Sequence, residues 1–219
     1  RAGNYAWALY KELAEHPDGQ SISLFREFAR RHAVMVVVGL PTRSDTGYHI
    51  SQMVIGQSGE LLGGYHKMHL AHYGASMEKD YFSSGSRLLV VECQGYRLAP
   101  VICYDIRFPE LSRSLALEHG VDVLLHCGAY YRDESFASWH PFVVTRAMEN
   151  QHYVLSLNRA GQHYGASVLA PPWIDEANPM IRLHENREEF KHLVIRREAI
   201  ERVRRDYTFL RDRKPFYRT

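Results

Sequence analysis

The sequence predicts a layered α/β protein, and three observations carry that prediction. Apolar strands alternate with amphipathic helices along the chain, two segments read as antiparallel hairpins, and 219 residues with 45% hydrophobic content can bury the core of one large domain, 1–219. Residues 5–16 and 21–32 carry apolar side chains at helical spacing, among them Leu24, Phe25 and Phe28, with Ser21 or Ser23 placed to cap the second helix. A fully apolar strand follows at 33–39. "YHISQMVIGQSGELLGGYHKMHL" reads as two strands around the turn "QSGE", and "SRLLVVECQGYRLAPVICY" repeats the pattern around "CQGY". Helix 108–119, strand 121–127, helix 136–150 and strands 152–157, 165–170 and 190–195 complete the order.

The charge balance narrows the function classes. A formal charge of +2 with no dominant block of like charge asks for neither nucleic acid nor a membrane surface, so a small-molecule substrate is expected. The longest apolar runs, "AVMVVVGL" and "VDVLLHCGA", are too short to span a bilayer. Three cysteines, an odd number in a chain of this size, predict reduced thiols and a cytoplasmic protein. The last segment, 196–219, holds nine Lys or Arg against four Asp or Glu, a net of +5. It reads as a solvated basic helix and tail that packs on a neighbour or a partner subunit rather than as a nucleic-acid arm.

Cys103 lies in "LAPVICYDIRFPELSR", where an apolar strand stops and a helix begins at Pro109 and Glu110. A cysteine is often a small buried hydrophobe. At a strand-to-helix junction, however, a thiol is held rigidly beside backbone N–H groups, which suits an activated nucleophile and its oxyanion. Cys93, beside a turn, and Cys127, at the end of a strand, lack that setting and read as structural.

Five blocks, "GGYHKMHL", "EKDYFSSG", "VICYDIRFPELSR", "TRAMEN" and "LNRAG", resemble in order and spacing the nitrilase superfamily of carbon-nitrogen hydrolases. The resemblance covers nearly the whole chain. It implies a four-layer αββα sandwich of the nitrilase type, and hydrolysis of a nonpeptide carbon-nitrogen bond through a thioester, without metal or organic cofactor. By position, Cys103 resembles the nucleophile and Lys67 the lysine that stabilises thiolate and oxyanion together with the N–H of Tyr104. Glu78 resembles the second glutamate, which orients the lysine. The family's first glutamate, its general base, has no match in residues 1–20: Glu12 and Glu15 fall on an amphipathic helix with no strand before them. That glutamate is expected ahead of Arg1, as part of a longer polypeptide.

"CYDIRFPE" resembles the amidase branches, omega-amidases and N-carbamoyl hydrolases, more than true nitrilases, so a small aliphatic or carboxylate-bearing amide is expected. His126, Tyr130 and Arg132 fall in a region that lines the family's pocket. Each reads either as a substrate contact or as a satisfied polar residue, and Arg132 suits a carboxylate. Glu149 and Asn150 read as internal supports. The resemblance also implies a homodimer or higher homo-oligomer.

Three other readings compete. His66, His69 and His72 invite a metal, but residues three apart on a strand face opposite sides and no HExxH or paired CxxC is present, so no metal is expected. A Cys103–His126 dyad would make Lys67 dispensable. A noncatalytic ligand-binding or assembly protein on the same fold would bind without turnover.

Overall fold

The computed structural model describes residues 3–73, 76–214 and 216, with side chains from Trp7 onward. The chain divides into two compact units: Arg1–Gln94 with Pro100–Asp105, and Gly95–Ala99 with Ile106–Thr219. Among the described residues the elements are α/β throughout, with one three-stranded and one six-stranded sheet.

In the first unit, α1 (Gly3–Leu13) and α2 (Gln20–His32) precede an antiparallel sheet of β1 (Val36–Ser44), β2 (Gly47–Ile55) and β3 (Leu61–His66), ordered β1-β2-β3. The first strand runs five residues beyond 39 and turns back tightly, pairing Ser44 with Gly47. Pro41 is tolerated because β1 is an edge strand, where a missing N–H breaks no inner ladder. The hairpin around "QSGE" forms as expected, with a register shift at Val54/Ile55.

Ile22 and Ala29 of α2 pack with Met53 and Ile55 of β2, covered by Phe25, Val36, Val38, Leu40 and Leu61. The start of α2 differs from expectation: neither Ser21 nor Ser23 caps it through its side chain. Glu15 lies beyond the end of α1, and its carboxylate accepts Ser21 N–H at 2.9 Å. A negative group at a helix N-terminus satisfies an orphan donor and complements the positive end of the helix dipole. Later in the unit come α3 (Glu78–Tyr81), too short for a periodic signal, and β4 (Val91–Cys93).

The six-stranded sheet is ordered β4-β5-β6-β7-β8-β9, with β5 Tyr96–Ile102, β6 Val123–Gly128, β7 Tyr153–Asn158, β8 Val168–Ala170 and β9 Ile181–Arg182. In the second unit α4 (Pro109–Leu117) precedes β6. Helix α5 (Phe136–Asn150) joins β6 to the parallel β7, and β8 and β9 follow antiparallel. The expected strand 165–170 is halved because Gly165 and Ala166 have φ of 83° and 58°, outside the extended region. The expected strand 190–195 belongs to neither sheet. Leu193 and Ile195 instead pack through their side chains against Val123, Tyr153, Leu169 and Ile200, and β9 takes the ladder beside β8.

The basic C-terminal segment forms α6 (Arg197–Asp206) and α7 (Phe209–Asp212). Ile200 and Val203 are buried within the chain's own second unit, and Arg197 and Arg204 pair with Asp122 at 3.1 and 3.2 Å. Of the tail, 215 and 217–219 lie outside the described residues. Among the described residues no helix is long and apolar enough to cross a membrane.

Candidate active site

Lys67 follows directly from β3. Its N–H donates to Ile50 O and its carbonyl accepts Gly85 N–H, both at 2.8 Å, so the backbone is held from two sides. A Cβ on Gly85 would fall well inside contact distance of the His66 carbonyl, which explains the glycine in "FSSG". The side chain of Lys67 is 1% exposed, and its Nζ donates to Glu78 Oε1 at 2.7 Å and Oε2 at 2.5 Å. A buried ammonium needs such a partner, because desolvation without one costs more than the fold can supply.

Glu78 opens α3 and also accepts Ala71 N–H at 2.7 Å, while its own N–H donates to Ala71 O. The short helix is fixed by aromatic contacts: Trp7 of α1 stacks on Tyr81 with centroids 4.9 Å apart and meets Tyr48 and Phe82 edge-on.

Cys103 follows directly from β5 and starts a 3-10 turn, Cys103–Arg107, with φ of 46°. That left-handed conformation is costly for a residue with a Cβ and persists only where its surroundings enforce it. The ring of Tyr104 lies against Tyr73, with centroids 5.3 Å apart. Lys67, Glu78, Cys103 and Tyr104 all belong to the first unit.

Asp105, which the sequence reading passed over, is fully buried. Its Oδ2 accepts Tyr65 O–H at 2.7 Å and Ile102 N–H at 3.0 Å, and its Oδ1 accepts His69 N–H at 2.9 Å and His69 Nδ1–H at 2.8 Å. Its place two residues after the candidate nucleophile is a signal in the sequence; its distant partners His69 and Tyr65, 36 and 40 residues away, leave none.

The three histidines weighed as metal ligands go to separate partners. His66 Nδ1 is 2.7 Å from Ser51 Oγ, His69 bonds Asp105, and His72 is 3.9 Å from Asp80. Among the described residues no group of three His, Cys, Asp or Glu is arranged to hold a metal ion.

The second unit holds the other candidates. His126 is 1% exposed, with Nδ1 2.7 Å from Ser156 Oγ and Nε2 3.3 Å from the Tyr130 hydroxyl. Tyr130 stacks on Trp139 at 4.6 Å, and Trp139 Nε1–H donates to the same Ser156 Oγ at 2.9 Å. This is the geometry of a satisfied core network. Arg132 is exposed, donates to Tyr164 O at 3.0 Å and Glu185 O at 2.6 Å, and covers Phe136. Glu149 pairs with Arg146 at 2.7 Å, and buried Asn150 donates to Arg146 O.

The model of the carbon-nitrogen hydrolase family matches residues 2–198. A deaminated glutathione amidase from Yersinia enterocolitica is 30% identical over 167 residues, covering 71% of this chain and 58% of its own length. The 2-oxoglutaramate amidase of Bacillus subtilis is 29% identical over 175 residues, covering 77% and 66%. A carbon-nitrogen hydrolase superfamily protein from Xanthomonas campestris, solved with an arsenic adduct in its active site, superposes with a TM-score of 0.82 at 25% identity, covering 94% of this chain and 79% of its own. The chain spans about three-fifths of the length of the first curated relatives it matches, 58% and 62%. The α/β fold is that of the nitrilase superfamily, and with nine-tenths of its residues matched, the chain belongs to the carbon-nitrogen hydrolase family.

Proposed function

We propose that this protein is a cysteine-dependent amidase that cleaves the carbon-nitrogen bond of a small amide through a thioester at Cys103. The observation that carries the reading is the buried Lys67–Glu78 pair in the same unit as a cysteine held left-handed at a strand exit. A carboxylate on Nζ fixes the position of the lysine, and a charge in a site that excludes water acts more strongly on its neighbours, which is what stabilisation of a thiolate and an oxyanion requires.

In this reading Cys103 Sγ, its proton taken by a general base, attacks the amide carbonyl. Negative charge developing on the carbonyl oxygen is met by Lys67 Nζ and the Tyr104 N–H. The C–N bond breaks, the nitrogen takes a proton and leaves as ammonia or an amine. Water then adds to the thioester carbonyl, and the C–S bond breaks to give the carboxylic acid and free Cys103. Glu78 orients Lys67. The amidase names of the relatives support an amide substrate, and 2-oxoglutaramate, in the name of one of them, is an amide that carries a carboxylate. Homo-oligomerisation in the cytoplasm belongs to the same proposal and is tested by sedimentation velocity and cell fractionation.

The direct test is ammonia release from a panel of simple aliphatic amides, dicarboxylate monoamides and N-carbamoyl compounds. Turnover that falls by about three orders of magnitude or more in Cys103→Ala and Lys67→Ala supports the reading. Release that survives Cys103→Ala, or ligand binding without any turnover, removes it.

A further inference from the structure

We infer that Asp105 is a positioning residue that sets Lys67 relative to Cys103. The inference rests on the reading of those two residues as partners in the reaction. One buried carboxylate accepts four hydrogen bonds, and the donors fall on two segments far apart in the chain. Tyr65 and His69 lie two residues before and two residues after Lys67. Ile102 is the residue before Cys103, and Asp105 itself lies two residues after it. The carboxylate therefore closes the turn around the left-handed cysteine and binds both flanks of the lysine to that turn.

Each of the four partners supplies a proton. The Tyr65 phenol stays protonated, because burial and then the Asp105 charge push its titration far above the ordinary tyrosine range. His69 must carry its proton on Nδ1 to face a carboxylate oxygen, and its backbone N–H points to the same atom. A side chain with two acceptor oxygens fits this site, and an amide of the same shape does not: its N–H₂ would face either Ile102 N–H or the pair of donors from His69. The four bonds also oppose the strain of a positive φ at Cys103, which a network with fewer acceptors would hold less firmly.

The test is the pH dependence of iodoacetamide alkylation at Cys103 in the full-length protein, read by mass spectrometry of the Cys103 peptide, so that no substrate is needed. Loss of the Asp105 charge by itself would lower the midpoint of that profile, whereas loss of Lys67's placement raises it. In Asp105→Asn the midpoint is expected to rise by about one pH unit or more, with kcat on any amide that is turned over falling about 100-fold and KM little changed. Tyr65→Phe removes one bond, keeps the charge, and is expected to raise the midpoint by less; it decides the question alone if Asp105→Asn does not fold. Lys67→Ala separates the two layers of the inference. If it raises the midpoint while Tyr65→Phe and folded Asp105→Asn leave it in place or lower it, the positioning role is overturned and the Cys103–Lys67 pairing stands. If Lys67→Ala itself leaves the midpoint unmoved, the pairing has failed and the positioning role falls with it.

Discussion

Lys67 Nζ lies 2.5 Å from Glu78 Oε2, but the two side chains are unequally sheltered, at 1% and 20% exposure. Glu78 has access to water when its partner is removed, whereas Lys67 has none. Removing the carboxylate therefore leaves a buried, uncompensated ammonium. Glu78→Gln is expected to destabilise the fold by about 3 kcal/mol, and Lys67→Met, which fills the same space without charge, by clearly less. Both variants should lose activity. Urea unfolding of the two proteins, with circular dichroism as the signal, checks the order; equal losses would mean that the pair is not asymmetrically buried in solution.

Ser156 Oγ serves both Trp139 Nε1–H and His126 Nδ1, so Ser156→Ala orphans two buried groups at once. The expected cost is about 1–3 kcal/mol of stability. If His126 belongs to the core, KM for a working amide stays unchanged. A large rise in KM with unchanged stability would instead return His126 and Tyr130 to the substrate pocket.

His152 is fully buried, and its ring nitrogens reach no partner in good hydrogen-bond geometry among the described residues; Asp122 and the Val121 backbone offset its burial only in part. Burial, reinforced by Arg204 and Arg113, pushes the imidazole from its ordinary 6.5 down to about 3. The folded protein therefore keeps His152 neutral at pH values where the unfolded chain binds a proton. Unfolding takes up that proton, so the contribution to stability is fully present above 6.5 and is lost as pH falls from 6.5 towards 3. The slope approaches about 1.4 kcal/mol per pH unit. His152→Leu removes it: the difference in unfolding free energy between variant and parent should shift by about 2 kcal/mol in favour of the variant between pH 6.5 and pH 5. A difference independent of pH would show that His152 titrates normally.

Gly85 donates to Lys67 O and leaves no space for a side chain beside the His66 carbonyl. Gly85→Ala is expected to displace the segment that carries Lys67, at a cost of about 1–3 kcal/mol and with a fold decrease in kcat larger than the fold increase in KM. Crystallography of the variant, or kcat equal to that of the parent, decides the point.

Much of the architecture could be read before any coordinates. The hairpin from 48 to 70, helix 136–150 and the strands around it have periodicity that depends only on neighbours in the chain, and β2, β3, α5, β6 and β7 appear close to their expected bounds. Two strands did not. At 165–170, Gly165 and Ala166 take positive φ. At 190–195, "FKHLVI" has strand composition but finds its partners through side chains such as Leu193 and Ile195 rather than through a backbone ladder. Composition reports which faces are apolar; whether a sheet edge is available is decided elsewhere in the fold.

The sequence by itself determined the α/β class, the strand-to-helix setting of Cys103 and the family to which the chain belongs, because periodicity and motif spacing are properties of residues close together in the chain. Tertiary structure alone decided that Glu78 reaches Lys67, that Glu15 serves α2, that His126 and Tyr130 close a core network with Ser156, and that Asp105 gathers donors from Tyr65, His69 and Ile102. The physical reason is common to all four. A polar side chain can be satisfied by many partners, and which one it meets is fixed only when distant segments fold together and burial removes water as the alternative.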